Sequence, residues 1–190
     1  MKIRLFVPFL AAVLLFSACS SVNDTPTESA TGDYTESVVN VTAATESSVS
    51  GVGVEYTVNY DTSKWKMTAG ASSGDAEYEF EHVDGDVYAL IIAERIEVDA
   101  ASLKEIALAN AQSIADDATV VFEKGRTVNG IPMEVMKIDG TAYGVAFEYY
   151  GYYYSGPAGT IQFITYTSSN LTSTYEADLT ELLNGLVVTE

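Results

Sequence analysis

The stretch that decides the fold is GTAYGVAFEYYGYYYSGPAGTIQFITYTSS, residues 140–169. Its two halves are rich in Tyr, Phe, Val, Ile and Thr, which favour the pleated surface of a β-strand. Between them lies Ser-Gly-Pro-Ala-Gly at 155–159, and Gly and Pro supply the backbone angles that tight turns need. We therefore predict a long antiparallel hairpin at the centre of the fold.

Alternate residues of a strand point to opposite faces, so the first strand of this hairpin divides into two sets. The set that runs from Tyr143 to Tyr153 in steps of two is bulky and apolar at its start, and we expect it to face the core. The other set contains Glu148, whose carboxylate would be costly to bury without a partner. We therefore predict that the tyrosines of that second set line a solvent-reachable face near the turn: Tyr150, Tyr152 and Tyr154.

Such a tyrosine surface has two interpretations. Three fully exposed tyrosines could present about 450 Å² or more, and an exposed apolar patch that approaches this area on a monomer tends to contact a partner. Trp65 is a further candidate for stacking on a ligand. The alternative is that a helix or loop covers the tyrosines and their hydroxyls form hydrogen bonds, with Trp65 as a plug at the edge of the core.

Residues 1–18 have the form of an export signal. A basic head precedes an apolar run at 5–16, which is too short for a spanning helix. The run ends in Leu15-Phe16-Ser17-Ala18-Cys19, which resembles the lipobox of bacterial lipoprotein signal peptides, with Phe16 where these usually have Leu. The resemblance implies cleavage before Cys19 and acylation of its thiol. An ordinary secretory signal with an incidental cysteine is the alternative.

The chain is strongly acidic. It has 9 basic and 27 acidic residues and a formal net charge of −18. Loss of Lys2 and Arg4 with the signal leaves 7 basic residues and a net charge of −20. Because such a surface repels nucleic acid and anionic head groups, we exclude a nucleic-acid partner and expect membrane attachment through the lipid on Cys19. The expected location is extracytoplasmic, and Ser20 indicates the outer membrane if the cell has one.

Composition divides the rest of the chain in two. Residues 19–50 are rich in Ser, Thr and acidic residues with few large apolar side chains. Such a segment cannot bury enough surface to offset its ordering entropy, so we predict a disordered tether. Residues 51–190 have the size of a single domain and show no internal repeat.

Within this domain, local patterns predict an α+β fold. Asn129-Gly130 is a strong signal for a tight hairpin turn, Asp99 and Ser102 are alternative N-caps of the first helix, and Gly185 is the expected C-cap of the last. Short links between strands indicate a largely antiparallel sheet with two main helices packed on it. The predicted strands lie at 54–60, 77–82, 87–96, 118–128 and 131–138, and the predicted helices at 99–117 and from Leu171 or Ser173 onward.

The hairpin formed by 77–82 and 87–96 admits two registers. One pairs Phe80 with Ala89, and the other pairs Phe80 with Tyr88. The second register collects the large apolar side chains on one face, so we favour it.

The order of elements over 54–188 resembles the PsbP/Mog1/DcrB-like fold, which includes photosystem accessory proteins and bacterial lipoproteins. The matching features are a strand running into Tyr60-Asp61-Thr62-Ser63-Lys64-Trp65, a helix after Val98-Asp99, and a strand at Thr165-Tyr166-Thr167 that leads into a helix. The resemblance implies a non-enzymatic accessory or scaffold role and supplies no catalytic residues.

The sequence predicts no catalytic residue, metal site or cofactor. His82 is the only histidine and Cys19 the only cysteine, which argues against a Ser-His-Asp triad and a usual zinc site. Two pairs of carboxylates are candidate Ca²⁺ ligands, but a hairpin turn and a helix end account for them: Asp84 with Asp86, and Asp116 with Asp117.

Our leading hypothesis is a lipid-anchored extracytoplasmic accessory or scaffold protein without catalytic activity, whose partner is a protein or a glycan. The alternative is a glycan- or peptide-binding module that stacks its ligand on Tyr150, Tyr152, Tyr154 and Trp65. A hydrolase that uses paired carboxylates ranks below both.

Overall fold

The computed structural model describes residues 35–37, 46–51, 54–70 and 75–189. Two helices, α1 (Ala100–Gln112) and α2 (Ser169–Asn184), accompany a mostly antiparallel set of strands, so the predicted α+β fold is confirmed. The strands are β1 (Thr35–Ser37), β2 (Glu46–Ser50), β3 (Tyr56–Asp61), β4 (Trp65–Ala69), β5 (Tyr78–His82), β6 (Val87–Glu94), β7 (Thr119–Val128), β8 (Ile131–Ala142), β9 (Val145–Gly156), β10 (Gly159–Ser168) and β11 (Leu186–Val188).

The larger sheet has the strand order β1-β7-β8-β9-β10-β6-β5-β4, and the smaller one the order β11-β3-β2. The predicted central hairpin is β9–β10, in the middle of the larger sheet, with Gly156 opposite Gly159 and Phe147 opposite Ser168. All pairings in the larger sheet are antiparallel except that of β1 with β7, which is parallel. The hairpin therefore forms the centre of the sheet, as its composition predicts.

Both faces of the larger sheet are buried. One core lies between this sheet, α2 and the smaller sheet, and the other lies under α1. Alternate residues of β9 therefore enter different cores, Tyr152 the first and Tyr153 the second. Glu148 lies in this interior as well, with 7% of its surface exposed, because its carboxylate forms an ion pair with the Lys137 ammonium group. The prediction that the Glu148 face of β9 is solvent-reachable is wrong for this reason.

The same two-sided burial decides the register of β5 and β6. Phe80 lies opposite Ala89 and Glu79 opposite Leu90, so the register that we favoured is wrong. Phe80 and Ala89 belong to the first core, whereas Leu90 belongs to the second. Large side chains on both faces of β6 are buried, so there was no advantage in collecting them on one face.

Local capping signals are confirmed in part. The Asp99 carboxylate accepts hydrogen bonds from the backbone N–H (3.0 Å) and hydroxyl (2.6 Å) of Ser102, so Asp99 is the N-cap of α1. Helix α2 starts at Ser169, earlier than predicted, and ends at the expected C-cap, Gly185. A Cβ atom at Gly185 would lie 1.9 Å from the carbonyl oxygen of Asn59, so this position requires the close backbone approach that glycine allows.

Strands β1 and β2 lie inside the segment predicted to be a disordered tether. Strand β1 pairs with β7, and β2 pairs with β3 from Glu46–Asp61 to Ser50–Thr57. Pairing at a sheet edge uses backbone groups, so it does not need the apolar side chains that this segment lacks. The ordered domain therefore includes residues before Gly51. The signal peptide, Cys19 and the rest of the predicted tether lie outside the described residues.

The turn between β8 and β9 is a feature that the sequence pattern did not predict. Tyr143 and Gly144 have φ values of 52° and 79°, and Tyr143 is 86% exposed. Tyr143 was expected in a strand with its ring toward the core, and this expectation is wrong because the chain reverses direction there. Across the described part of the chain, neither helix combines the length and apolar character that a membrane span requires.

Candidate functional site

The residues predicted to form an exposed tyrosine surface are mostly buried. Tyr152 is 0% exposed, Tyr154 and Trp65 are each 2% exposed, and Tyr150 is half-buried. They belong to the core that α2 and the smaller sheet cover. The prediction of an accessible stacking platform at these positions is therefore wrong, and the alternative of covered tyrosines is correct.

Tyr152 is a structural junction. Its hydroxyl oxygen accepts a hydrogen bond from the Arg126 guanidinium, and the hydroxyl donates to Asn184 Oδ1 at 2.9 Å. Burial raises the pKa of Tyr152, so the hydroxyl keeps its proton and its donor function. The Tyr150 ring packs edge-on against it, with centroids 6.1 Å apart. This junction joins β7 and β9 to the last residue of α2.

His82 is enclosed by a second group of side chains, which we call the His82 cluster: Trp65, Tyr175 and Asp178. The His82 ring packs edge-on against Trp65 at 5.0 Å and against Tyr175 at 4.9 Å. Its Nε2 atom lies 3.4 Å from Asp178 Oδ2, and its Nδ1 atom accepts a hydrogen bond from the backbone N–H of Asp84 at 3.3 Å. With 3% of its surface exposed, His82 acts as an internal contact between the sheet and α2.

The turn between β3 and β4 explains the motif at 60–65. The Asp61 carboxylate accepts hydrogen bonds from the Ser63 backbone N–H (2.7 Å) and hydroxyl (2.6 Å), which lower the pKa of Asp61. Lys64 then reaches α2, where its ammonium lies 2.8 Å from Asp178 and 2.6 Å from Glu181. These carboxylates raise the pKa of Lys64, so it is charged at neutral pH. The motif thus fastens α2 to the sheet next to the His82 cluster.

A row of aromatic rings, which we call the tyrosine row, crosses three strands on the α1 side of the sheet: Tyr88, Tyr166 and Tyr149. Tyr166 lies opposite Tyr88 on β6 and opposite Tyr149 on β9. The Tyr88 and Tyr166 rings stack with centroids 5.4 Å apart, and Tyr149 lies 5.9 Å from Tyr166. The buried Phe147 ring continues the row beyond Tyr149 at 4.8 Å. All three tyrosines are half-buried, and α1 packs over β7, β8 and β9.

The tyrosine row combines apolar rings with neutral hydroxyls. Burial raises the pKa of Tyr149 to about 12, and burial followed by the charge of Glu79 raises the pKa of Tyr166. Both hydroxyls therefore stay protonated at physiological pH. The row is not recognisable in the sequence, because Tyr88 and Tyr166 are 78 positions apart in the chain. Only the pairing of β6 with β10 brings them together, and no local sequence pattern predicts that pairing.

In the second acidic pair, Asp117 has a structural partner. The Asp117 carboxylate accepts a hydrogen bond from the backbone N–H of Thr141 at 2.7 Å, which lowers the pKa of Asp117. Asp84 and Asp86 lie in the β5–β6 turn, where Asp86 has a φ of 64°. Within the described ranges, no group of three or more His, Cys, Asp or Glu side chains is arranged to hold a metal ion.

The sheet covered by one helix on each face, with the small second sheet beside α2, defines a PsbP-like α+β fold. The structure is similar to that of PsbP (CyanoP) from Synechocystis sp. PCC 6803, with a TM-score of 0.56, 13% identity, and coverage of 80% of this chain and 98% of that one.

Two other solved structures are similar with lower scores. One is LpqN, described as involved in cell envelope biogenesis of Mycobacterium tuberculosis, with a TM-score of 0.48, 13% identity, and coverage of 76% of this chain and 91% of that one. The other is a Pseudomonas aeruginosa protein of unknown function, with a TM-score of 0.47, 9% identity, and coverage of 77% and 99%. At these identities the likeness concerns the fold alone. No family model and no curated protein sequence matches the chain.

Proposed function

We propose that the chain is a lipid-anchored extracytoplasmic accessory or scaffold protein that acts by binding a partner and not by catalysis. The observation that carries this proposal is that side chains able to act in catalysis serve structural contacts instead. His82, Lys64 and Tyr152 all hold α2 against the sheet. A catalytic group must reach its substrate, and two of these three side chains are almost fully buried.

The proposed anchor rests on the lipobox-like sequence that ends at Cys19. Expression of the full chain in a bacterial host with labelled palmitate tests it directly. We expect label on the parent, no label on Cys19→Ser, and accumulation of the unprocessed precursor with globomycin. An unlabelled parent that is cleaved normally would show an ordinary secretory signal instead.

We assign the tyrosine row as the surface that binds the partner. Tyrosine is enriched in protein interfaces because it presents a large rigid ring and a hydroxyl together. A photo-crosslinking amino acid at Tyr166 should capture one discrete partner in the cell envelope, whereas the same group at Val121, which is 52% exposed on β7, should not. Equal capture from both positions would contradict the assignment. A substrate turnover by the pure chain that one point substitution abolishes would contradict the non-catalytic role.

A further inference from the structure

The β8–β9 hairpin projects from the end of the larger sheet. Strand β7 begins opposite Asp139, and β10 ends opposite Phe147. The hairpin continues for two more pairs of residues beyond both neighbours and then turns. Two pairs correspond to about 7 Å of strand. We call the projecting part, residues 141–146, the β8–β9 tip.

The β8–β9 tip has no charged side chain of its own in a strongly acidic chain, although the Asp117 carboxylate contacts it at the Thr141 backbone N–H. Residues 140–147 read GTAYGVAF and contain no ionisable Asp, Glu, Lys or Arg, although the chain has 27 acidic residues. Tyr143 is 86% exposed and Val145 is 45% exposed. Exposed large apolar side chains that project together are typical of contact surfaces.

The backbone at Tyr143 is unusual for a residue of its size. Its φ of 52° is in the left-handed region, as are the φ values of Asp86 and Asn129 in other turns. Asp and Asn adopt this region readily, whereas a bulky aromatic residue rarely does. Tyr143 therefore costs stability at this turn, and the fold supports the turn through the bond from the Thr141 backbone N–H to Asp117. An unfavourable residue held in place at a projecting position points to a function of its side chain.

The direction of β1 shows which end of the larger sheet its first residue faces. Thr35 pairs with Arg126 and Ser37 with Val128, in parallel. Because β1 runs parallel to β7, its first residue, Thr35, faces the end of the larger sheet that carries the β8–β9 tip. Arg126 pairs with Met133, which is 10 residues before Tyr143, so the tip lies about 34 Å farther along.

Chain length then decides whether the tip can reach the lipid. Cys19 is 16 residues before Thr35, and a chain of that length spans at most about 58 Å. This reach exceeds the distance to the tip by only about 24 Å in the fully extended limit. A segment of this length is thus long enough for the tip to meet the lipid layer that would hold Cys19.

We propose that the β8–β9 tip, through Tyr143 and Val145, contacts the head-group region of the same bilayer that holds the acylated Cys19. This inference rests on the proposed lipid anchor. Tyrosine favours the boundary between head groups and acyl chains, where its ring and hydroxyl are both accommodated. The acidic body limits the depth of the contact and favours zwitterionic over anionic lipid.

Depth-dependent fluorescence quenching tests the proposal. The full-length processed protein carrying Tyr143→Trp is incorporated into phosphatidylcholine vesicles with brominated acyl chains, and the emission of the parent, which contains the buried Trp65, is subtracted. We expect blue-shifted emission that bromine quenches. The matched control is Ile96→Trp, because Ile96 is 59% exposed and follows β6 at the opposite end of the sheet. Its emission should stay red and unquenched.

Several outcomes would overturn the proposal. Equal quenching at Tyr143→Trp and Ile96→Trp, or none at either on protein with acylated Cys19, refutes contact by the tip and leaves the anchor intact. Val145→Trp gives an independent second probe if Tyr143→Trp lowers the thermal midpoint. Absence of acyl mass on Cys19 refutes the anchor and this inference together. Stronger quenching on phosphatidylglycerol vesicles at low salt also contradicts it, since repulsion by the acidic body should weaken contact there.

Discussion

Replacement of Tyr152 by Phe isolates the hydroxyl at the junction of β7, β9 and α2. The ring remains, so no cavity forms, but the Arg126 guanidinium loses its acceptor and Asn184 Oδ1 loses its donor. A hydrogen bond to a charged group contributes about 1.5–3 kcal/mol and a neutral one about 0.5–1.5 kcal/mol. Since Arg126 is only half-buried, water replaces part of its bond. We therefore expect the free energy of unfolding to fall by about 2–3 kcal/mol.

Urea unfolding followed by circular dichroism measures this loss, with the slope of the transition unchanged. For a chain of this size, a thermal melt should show a midpoint lower by about 5–10 °C. The matched control is Tyr143→Phe, which removes the same atom from a side chain that is 86% exposed. Its effect should stay within about 0.5 kcal/mol.

The two variants distinguish a buried junction from an exposed binding surface. If Tyr152 belonged to a solvent-reachable platform, loss of its hydroxyl would change stability no more than Tyr143→Phe does. Equal urea midpoints for Tyr152→Phe, Tyr143→Phe and the parent would therefore refute the role that we assign to this hydroxyl.

Three further substitutions test other contacts of the fold. Gly185→Ala places a Cβ atom 1.9 Å from the Asn59 carbonyl oxygen, so the free energy of unfolding should fall by about 3 kcal/mol; an unchanged urea midpoint would argue against this close approach. Lys137→Met leaves the buried Glu148 carboxylate unpaired and should cost about 2 kcal/mol, most of which a second change, Glu148→Leu, restores; additive losses in the double-mutant cycle would disprove the coupling. Hydrogen bonds from the Ser63 hydroxyl and backbone N–H lower the pKa of Asp61 below its usual 3.8. The carboxylate therefore stabilises the fold above that value, and this stabilisation disappears as pH falls through the lower folded-state pKa. Asp61→Asn should flatten the loss of stability in an acid titration below about pH 4, and an unchanged acid slope would contradict it.

Local signals in the sequence determined two of the hairpin turns, the helix caps and the class of the fold. Asn129-Gly130, the Pro157 turn and the Asp99 cap lie where their chemistry requires them, because each depends on a few neighbouring residues. Strand composition and short links were enough to predict a largely antiparallel sheet with two helices. Strand pairing in the segment before Gly51 was missed, since backbone hydrogen bonds at an edge leave no trace in side-chain composition.

Only the tertiary structure decided which face of each strand is buried. Glu148 suggested an exposed face, but Lys137 on the next strand neutralises its carboxylate inside the protein. Once α1 and α2 cover opposite faces of one sheet, alternation no longer separates inside from outside, and Tyr152 and Tyr153 are both buried. Among the described aromatic residues, Tyr143 is instead strongly exposed, because the chain turns there beyond the ends of the neighbouring strands. Burial depends on which elements meet across the whole chain, and periodicity within one strand does not contain that information.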